Sequence, residues 1–184
     1  VPVLKVLDDR FGIEQGHIDT CHSYTNDQNL VDNFHKKSRR GRGAPLNMVI
    51  TETGSEQAIA KALPGLKGKL TANAIRVPTP NVSLAILKLS LRRSTAAEEV
   101  NHYLREISLD SSLQGQIDYT SSPEVVSSDF NGTLKTGIVD SLSTIVTGNQ
   151  CVLYVWYDNE YGYAGQVVRI VQYLSGLELP SYPS

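Results

Sequence analysis

Several features that mark common functional classes are scarce or absent in this sequence. It contains two cysteines, Cys21 and Cys151, and four histidines among 184 residues. So few cysteines do not indicate a disulfide framework, and they suit the reducing cytoplasm. The cysteines are too sparse for a zinc site and the histidines do not cluster at ligand spacing, so we expect no metal. No apolar run approaches the length of a bilayer span, so we expect no membrane partner.

A strong excess of charge of one sign is also missing. The sequence has 17 basic and 19 acidic residues, a net charge of −2. This balance gives no indication of a nucleic-acid partner or of an anionic membrane surface. The only local excess is a basic stretch over residues 36–42. There is also no Gly-x-Gly-x-x-Gly after a strand, so the fingerprint of a dinucleotide-binding domain is absent.

The apolar pattern that is present predicts about four helices and about seven strands. Helical spacing predicts a first helix over residues 2–9 and a last one that Asp158-Asn159 caps. A turn with a short helix is expected over 26–33, then a long polar loop over 33–47. The predicted strands cover 16–24, 69–77, 82–91, 116–120, 125–127, 143–146 and 151–157. Because most consecutive strands lack an intervening helix, we expect an α+β fold with a mostly antiparallel or mixed sheet and helices packed on one face.

The stretch from Asp19 to Thr25 is the first place where the sequence indicates chemistry. Side chains alternate along a strand, so Cys21 and His22 point to opposite faces and do not form a catalytic pair. Cys21 is then a packing thiol. His22 lies at the strand end beside hydroxyl-bearing residues, where it is either a general base or a structural histidine. Thr25 is placed to donate a hydrogen bond to an oxyanion.

Three further features are suited to binding an anion. Thr53-Gly54 begins a predicted helix, where free backbone amides either bind an anion or are simply capped. The arginines Arg40 and Arg42, with Arg39, either pair with phosphate or form a solvated loop. Arg76 lies inside an apolar strand and needs a carboxylate or a bound anion. With His22 as a base, this set is suited to a phosphorylated small-molecule substrate.

These residues belong to sequence blocks that resemble a known family. The blocks are His22-Ser-Tyr-Thr25, Arg39-Arg40-Gly-Arg42-Gly-Ala, Thr53-Gly54, Ile75-Arg76-Val-Pro-Thr-Pro-Asn-Val-Ser83, Val126-Ser-Ser-Asp-Phe-Asn-Gly132 and Trp156-Tyr-Asp-Asn-Glu-Tyr-Gly-Tyr163. In this order they closely resemble the C-terminal catalytic domain of phosphorylating glyceraldehyde-3-phosphate dehydrogenase. The resemblance implies that a Cys thiolate attacks an aldehyde, hydride passes to NAD, and phosphate releases the acyl group.

The resemblance also implies roles for individual residues. His22 is the base that activates the thiol and assists hydride transfer, and Asn159 orients the nicotinamide amide, with Tyr163 nearby. The implied contacts to the phosphates of a phosphorylated aldose and to inorganic phosphate are Thr25, Arg40, Thr53, Gly54 and Arg76. The cofactor is NAD or NADP, mostly bound by an N-terminal domain. The 33–47 loop lines a neighbour's cofactor site in a homotetramer.

The sequence departs from the family pattern in two respects. The run Ser-Cys-Thr-Thr-Asn-Cys that carries the nucleophile is absent, and so is the Rossmann half. We therefore expect residues 1–184 to be a single catalytic and oligomerisation domain, a fragment that starts just after the nucleophile and is inactive alone. In addition, Ile50 and Glu52 replace a proline and a hydroxyl residue of the family. A carboxylate beside a phosphate site repels the anion unless it points away.

The alternatives at this stage are erythrose-4-phosphate dehydrogenase, which shares these blocks, and a non-catalytic module that only self-associates. The Tyr24-Thr25 pair after His22-Ser23 keeps the phosphate-binding hydroxyl and favours glyceraldehyde 3-phosphate as the substrate.

Overall fold

The computed structural model describes residues 1–176, and within them a seven-stranded mixed sheet is combined with four α-helices. The strands are β1 Ile13–Ser23, β2 Val49–Thr51, β3 Leu70–Val77, β4 Ser83–Leu91, β5 Ile117–Thr120, β6 Gly137–Thr147 and β7 Gln150–Tyr157. The helices are α1 Pro2–Phe11, α2 Ser55–Ala62, α3 Ala97–Leu109 and α4 Tyr161–Ser175. The predicted α+β class and mixed sheet are confirmed. Within the described part of the chain, no helix is both long and apolar enough to cross a membrane.

The strand order in the sheet is β2-β3-β1-β4-β7-β6-β5. β1 pairs with β3 in parallel, as β5 does with β6, and the other neighbouring pairs are antiparallel. The parallel register between β1 and β3 sets His22 directly opposite Arg76. Directly opposed residues share a face of the sheet, so the fold brings a histidine and an arginine 54 positions apart into contact.

One face of the sheet forms the hydrophobic core with the helices. Ile18 of β1, Leu87 of β4 and Leu153 of β7 pack in one cluster with Leu7 of α1 and Leu104 of α3. Each of these side chains is at most 5% exposed, and full burial of a Leu or Ile side chain contributes about 1.5–3 kcal/mol. The core therefore fixes which face of β1 carries its even-numbered residues, from Ile18 to His22.

The two cysteines occupy opposite faces of this sheet, and both are free thiols. Cys151 is fully buried in the core, and burial raises the pKa of its thiol to about 11. Its thiolate is therefore negligible at neutral pH. Cys21 is partly buried on the other face, opposite Ile75 and Leu84. The prediction that Cys21 and His22 point to opposite faces is confirmed.

Two local predictions were wrong. Residues 26–33 form turns without a helix, because backbone hydrogen bonds tie them to residues 40–44: Asn29 N–H donates to Arg40 O, and Ala44 N–H donates to Asn29 O at 2.8 Å. The predicted strand over 125–127 is also absent, since a 3-10 helix spans Ser127–Phe130. There the Asp129 carboxylate accepts a 2.7 Å bond from Val126 N–H and turns the chain.

Candidate active site

The candidate site lies at one edge of the sheet, where β1, β3 and β7 end. β3 is parallel to β1, and β7 runs the same way because both flank the antiparallel β4. Their carboxyl ends therefore meet at the same edge. His22 lies at the end of β1, Arg76 at the end of β3, and Asn159 two residues beyond β7.

His22 is partly buried and surrounded by groups that keep it neutral. Its ring meets the Tyr157 ring edge-on, with the centroids 6.3 Å apart. Burial lowers the pKa of His22 below its ordinary 6.5; the hydrogen bond to Ser23 O opposes this shift, and the charges of Arg76 and Arg40 reinforce it. A neutral imidazole at neutral pH is the form that can accept a proton.

The two neighbours of the His22 Nδ1 atom require opposite tautomers. Nδ1 lies 2.7 Å from Ser23 O, which only accepts, and 2.6 Å from Arg76 NH1, which only donates. Bonding to Ser23 O needs a proton on Nδ1 and leaves Nε2 as the basic atom. Bonding to Arg76 needs a bare Nδ1 and places the proton on Nε2. The position of Arg76 therefore governs whether Nε2 can act as a base.

A cleft of about 320 Å³ opens beside His22. Asn159 and Tyr163 line it, together with Thr136 and Tyr157. Tyr163 comes from the first turn of α4 and is 76% exposed. The structure thus brings the predicted base and the two predicted cofactor residues to one cleft.

Two serines hold Asn159 in place. Ser23 Oγ donates to Asn159 Oδ1 at 2.7 Å, and Ser83 Oγ donates to the same oxygen at 3.1 Å. With its oxygen occupied, Asn159 offers its amide N–H groups to a ligand. Sequence reasoning missed this role for Ser23 and Ser83. The sequence signal that was available is the alternation of side chains along β1, which places Ser23 on the opposite face from His22.

Asp158, beside Asn159, is buried and connects three segments of the chain near the site through hydrogen bonds. Its Oδ1 accepts from Glu160 N–H and Tyr161 N–H at 2.9 Å each, which caps α4. Its Oδ2 accepts from Asn81 Nδ2 at 2.8 Å and from Gly132 N–H at 2.9 Å. Burial alone raises the pKa of Asp158, but these hydrogen bonds outweigh it and lower the pKa. Of the predicted pair Asp158-Asn159, only Asp158 bonds the start of α4, where Glu160 is the N-cap residue; the bonds from Asp158 to two other loops were not predicted.

Arg76 and Arg40 differ in how fully they are paired. NH1 of Arg76 reaches His22 and donates to Ser23 O at 3.0 Å, but its buried Nε has no partner among the described residues. Arg40 bonds Thr51 Oγ1 through Nε and NH2, and its NH1 contacts the Asp27 carboxylate. Arg76 therefore has a donor that no described residue occupies, whereas most donors of Arg40 are already used.

The other predicted arginines support the solvated alternative. Arg42 is exposed and pairs with Asp32 at 3.0 Å, and Arg39 is exposed. Glu52 points into solvent with a 92% exposed side chain, and its nearest cation is Lys37 Nζ at 3.8 Å. The carboxylate that replaces a family hydroxyl thus points away from the site.

The remaining predicted phosphate contacts do not line the cleft beside His22. Thr25 lines a second recess, which contains Asp27 and so adjoins Arg40. Thr53 Oγ1 accepts from Ser55 N–H at 3.2 Å and meets the Ser55 hydroxyl at 2.7 Å. Gly54 is the N-cap of α2, and nothing lies within 4 Å of where a Cβ would stand. The start of α2 is therefore open to a ligand.

A family model and individual relatives identify the same protein family for this chain. A family model described as glyceraldehyde 3-phosphate dehydrogenase, C-terminal domain, matches residues 1–159. A glyceraldehyde-3-phosphate dehydrogenase-like protein of Pseudomonas aeruginosa is 62% identical over 183 residues, which is 100% of this chain and 40% of that protein. Glyceraldehyde-3-phosphate dehydrogenases of Priestia megaterium and Bacillus subtilis are 45% and 46% identical over 175 residues, 95% of this chain and 52% of each. The chain spans about half the length of these relatives.

Proposed function

We propose that this chain supplies the general base and the phosphate-binding residues of a phosphorylating aldehyde dehydrogenase. The chain belongs to the glyceraldehyde-3-phosphate dehydrogenase family, whose C-terminal domain it matches. The proposed reaction converts glyceraldehyde 3-phosphate and inorganic phosphate to 1,3-bisphosphoglycerate with NAD or NADP. The observation that carries this proposal is the contact between His22 and Arg76 beside the cleft of Asn159 and Tyr163. In this proposal residues 1–184 form the catalytic and oligomerisation domain of a cytoplasmic enzyme.

His22 is proposed to take the proton of the nucleophilic thiol and to assist hydride transfer. An anionic substrate that pairs with Arg76 leaves Ser23 O as the partner of the His22 Nδ1 proton, so Nε2 becomes the basic atom. Substrate binding and base activation are then coupled through one guanidinium. Thr25, Arg40, Thr53 and Gly54 are proposed as further phosphate contacts. Because Asp27 already pairs with Arg40, an anion there must compete with or reorient that carboxylate.

The cofactor proposal rests on the residues that line the cleft. The amide N–H groups of Asn159, left free by the two serines, suit the carboxamide of a nicotinamide, and Tyr163 offers an exposed ring beside them. NAD, when bound, accepts the hydride. The nucleophilic cysteine and most of the cofactor contacts are assigned to the part of the longer relatives that this chain does not match. Neither Cys21 nor Cys151 is proposed to replace that nucleophile.

We also propose a homotetramer. Large apolar side chains are exposed along and beside the 33–47 loop: Phe34 is 89% exposed, Leu46 86%, Met48 75% and Ile50 62%. Several large exposed apolar side chains within one segment of the chain favour a surface that another protein covers. They also favour the second candidate function, a module that only self-associates.

An assay of two forms side by side tests the proposed function. The longest natural polypeptide that carries this sequence should reduce NAD or NADP with glyceraldehyde 3-phosphate and phosphate, whereas the 184-residue chain alone should not. Erythrose 4-phosphate serves as the competing substrate, and sedimentation gives the oligomeric state. Turnover by the 184-residue chain alone would contradict the proposal that the nucleophilic cysteine lies outside this chain. A long form that assembles but oxidises neither sugar phosphate would favour the self-association module.

Replacing Arg76 by Ala should raise the KM for the aldose phosphate by about 10–100-fold, because a charge-assisted hydrogen bond contributes about 1.5–3 kcal/mol. Its charge also lowers the pKa of His22, so the acid limb of the pH–rate profile should move up towards 6.5. Steady-state kinetics across pH measure both effects. Arg39→Ala, at an exposed arginine, is the matched control. A change in thermal stability with unchanged KM would make Arg76 a structural residue.

A further inference from the structure

Val82 has a backbone conformation that β-branched residues avoid. Its φ angle is 61°, and within residues 1–176 every other residue with a positive φ is a glycine. The side chain is 2% exposed and lies immediately before β4. In this left-handed region the Cβ atom of an L-residue crowds the carbonyl oxygen that follows it. Such strain persists only where the surrounding contacts hold it, and strained residues concentrate at functional sites.

The two neighbours of Val82 in the sequence make the contacts that hold it. On one side, Asn81 Nδ2 donates to the Asp158 carboxylate at 2.8 Å. On the other side, Ser83 Oγ donates to Asn159 Oδ1 at 3.1 Å. The side chains before and after the strained residue therefore bond two consecutive residues of the candidate site. These two bonds fix the chain on both sides of the Val82 φ torsion.

The left-handed conformation sets the direction in which Ser83 leaves the turn. Relaxing Val82 to extended backbone would rotate its φ by about 180°. Such a rotation redirects the chain before Val82 relative to the chain after it, so both bonds to Asp158 and Asn159 depend on the positive φ. The Ser83 hydroxyl is also held by Ser23, whose N–H donates to Ser83 Oγ at 3.1 Å.

We propose that the left-handed conformation of Val82 positions the carboxamide of Asn159 for its ligand. Val82 is not among the described residues that line the cleft, so it acts through Ser83 as a positioning residue. The inference rests on the proposed function, in which the N–H groups of Asn159 bind the carboxamide of a nicotinamide. Because the bond from Asn81 offsets the strain, its loss should let Val82 relax and should draw Ser83 away from Asn159.

A rescue experiment in the longest natural polypeptide that carries this sequence tests the proposal. Asn81→Ala should raise the KM for NAD or NADP, whichever the wild type uses, by about 3–10-fold, which corresponds to the loss of about one hydrogen bond. Adding Val82→Gly to this variant should return the KM to within about twofold of wild type, because glycine adopts a positive φ without strain. Adding Val82→Ala instead should leave the KM raised. This second double variant is the matched control, since it also loses the buried side chain but still disfavours a positive φ.

Three kinetic outcomes overturn the proposal. An unchanged KM in Asn81→Ala would show that its bond does not support the cleft. Equally raised KM values in the two double variants would assign the loss to Asp158 directly, without a part for the Val82 backbone. Equal rescue by glycine and alanine would show that the side chain matters and the conformation does not.

The melting temperatures of the ligand-free single variants test the strain without any activity. Val82→Gly should melt above Val82→Ala, because glycine loses its usual disadvantage at a positive φ. The reverse order is expected at an extended backbone and would overturn the proposal.

Cofactor binding separates this inference from the proposed function. If the wild-type protein oxidises neither sugar phosphate, the proposed function fails, and thermal shifts induced by NAD or NADP still decide the role of Val82. A shift that is present in wild type and in the glycine double variant, but reduced in Asn81→Ala and in the alanine double variant, supports the positioning role. Equal shifts in all four proteins, or none in wild type, overturn it.

Discussion

Replacing His22 by Asn in the longest natural polypeptide that carries this sequence is expected to lower turnover by roughly two to four orders of magnitude. The variant loses Nε2, the atom proposed to take the thiol proton. The Asn amide can still donate to Ser23 O, which lies 2.7 Å from Nδ1 in the wild type, so the fold should tolerate the change. The measurement is kcat with glyceraldehyde 3-phosphate, alongside a thermal melt that should shift by no more than about 2 °C.

The pH profile gives this prediction a second, independent readout. Burial and the charges of Arg76 and Arg40 lower the pKa of His22, so the acid limb of the wild-type rate should lie below 6.5. That limb should vanish in His22→Asn. His102→Asn is the matched control, since this histidine lies on α3 with a 72% exposed side chain. An unaltered rate in His22→Asn removes His22 from the mechanism.

The fluorescence of Trp156 can show whether a loss of turnover is caused by unfolding. Trp156 is the single tryptophan of the sequence, and it stacks on Phe130 with ring centroids 5.7 Å apart. Its indole N–H donates to the Asp140 carboxylate at 3.1 Å. Its fluorescence therefore reports packing at β7, the strand that leads into the site. In the 184-residue chain, where Trp156 is the single tryptophan, an unchanged emission spectrum of His22→Asn shows that the substitution leaves this packing intact. The loss of turnover in the longer protein is then assigned to chemistry.

The face assignments of the strands were predictable because alternation is a local property of the chain. The phase of residues 16–24 separates Cys21 from His22, and the structure confirms this. The pairing of His22 with Arg76 was not predictable from periodicity, because it depends on the parallel register between strands that are far apart in sequence. The resemblance named both residues, but the contact between them comes from the sheet.

The loops show more clearly where prediction from the local sequence fails. The pattern over 26–33 suggested a short helix, yet cross-loop bonds such as Asn33 N–H to Gly41 O at 2.9 Å decide its conformation. The pairing of Arg40 with Asp27 and the partnerless amide of Gln28 arise in the same loop region. Such contacts join residues whose spacing follows no helical or strand period, so a single sequence carries little signal for them.

Replacing Asp158 by Ala is expected to destabilise the protein by about 3–5 kcal/mol, and thus to lower its melting temperature by about 6–20 °C. The carboxylate is 1% exposed and accepts four hydrogen bonds, from the start of α4, from Gly132 and from Asn81. The substitution leaves these donors without their acceptor. Chemical denaturation measures the loss, and Asp110→Ala, at an exposed aspartate after α3, should cost less than about 1 kcal/mol.

The pH dependence shows that the charge, not only the packing, is responsible. The hydrogen bonds lower the pKa of Asp158 below its ordinary 3.8, so the folded state binds a proton less readily than the unfolded state. The stabilisation is therefore present above about pH 4 and is lost as the pH falls through the folded pKa. The difference in unfolding free energy between wild type and Asp158→Ala should accordingly shrink in acid. A difference that stays constant from pH 7 to pH 2 would mean that the carboxylate charge contributes nothing and that Asp158 acts by filling space.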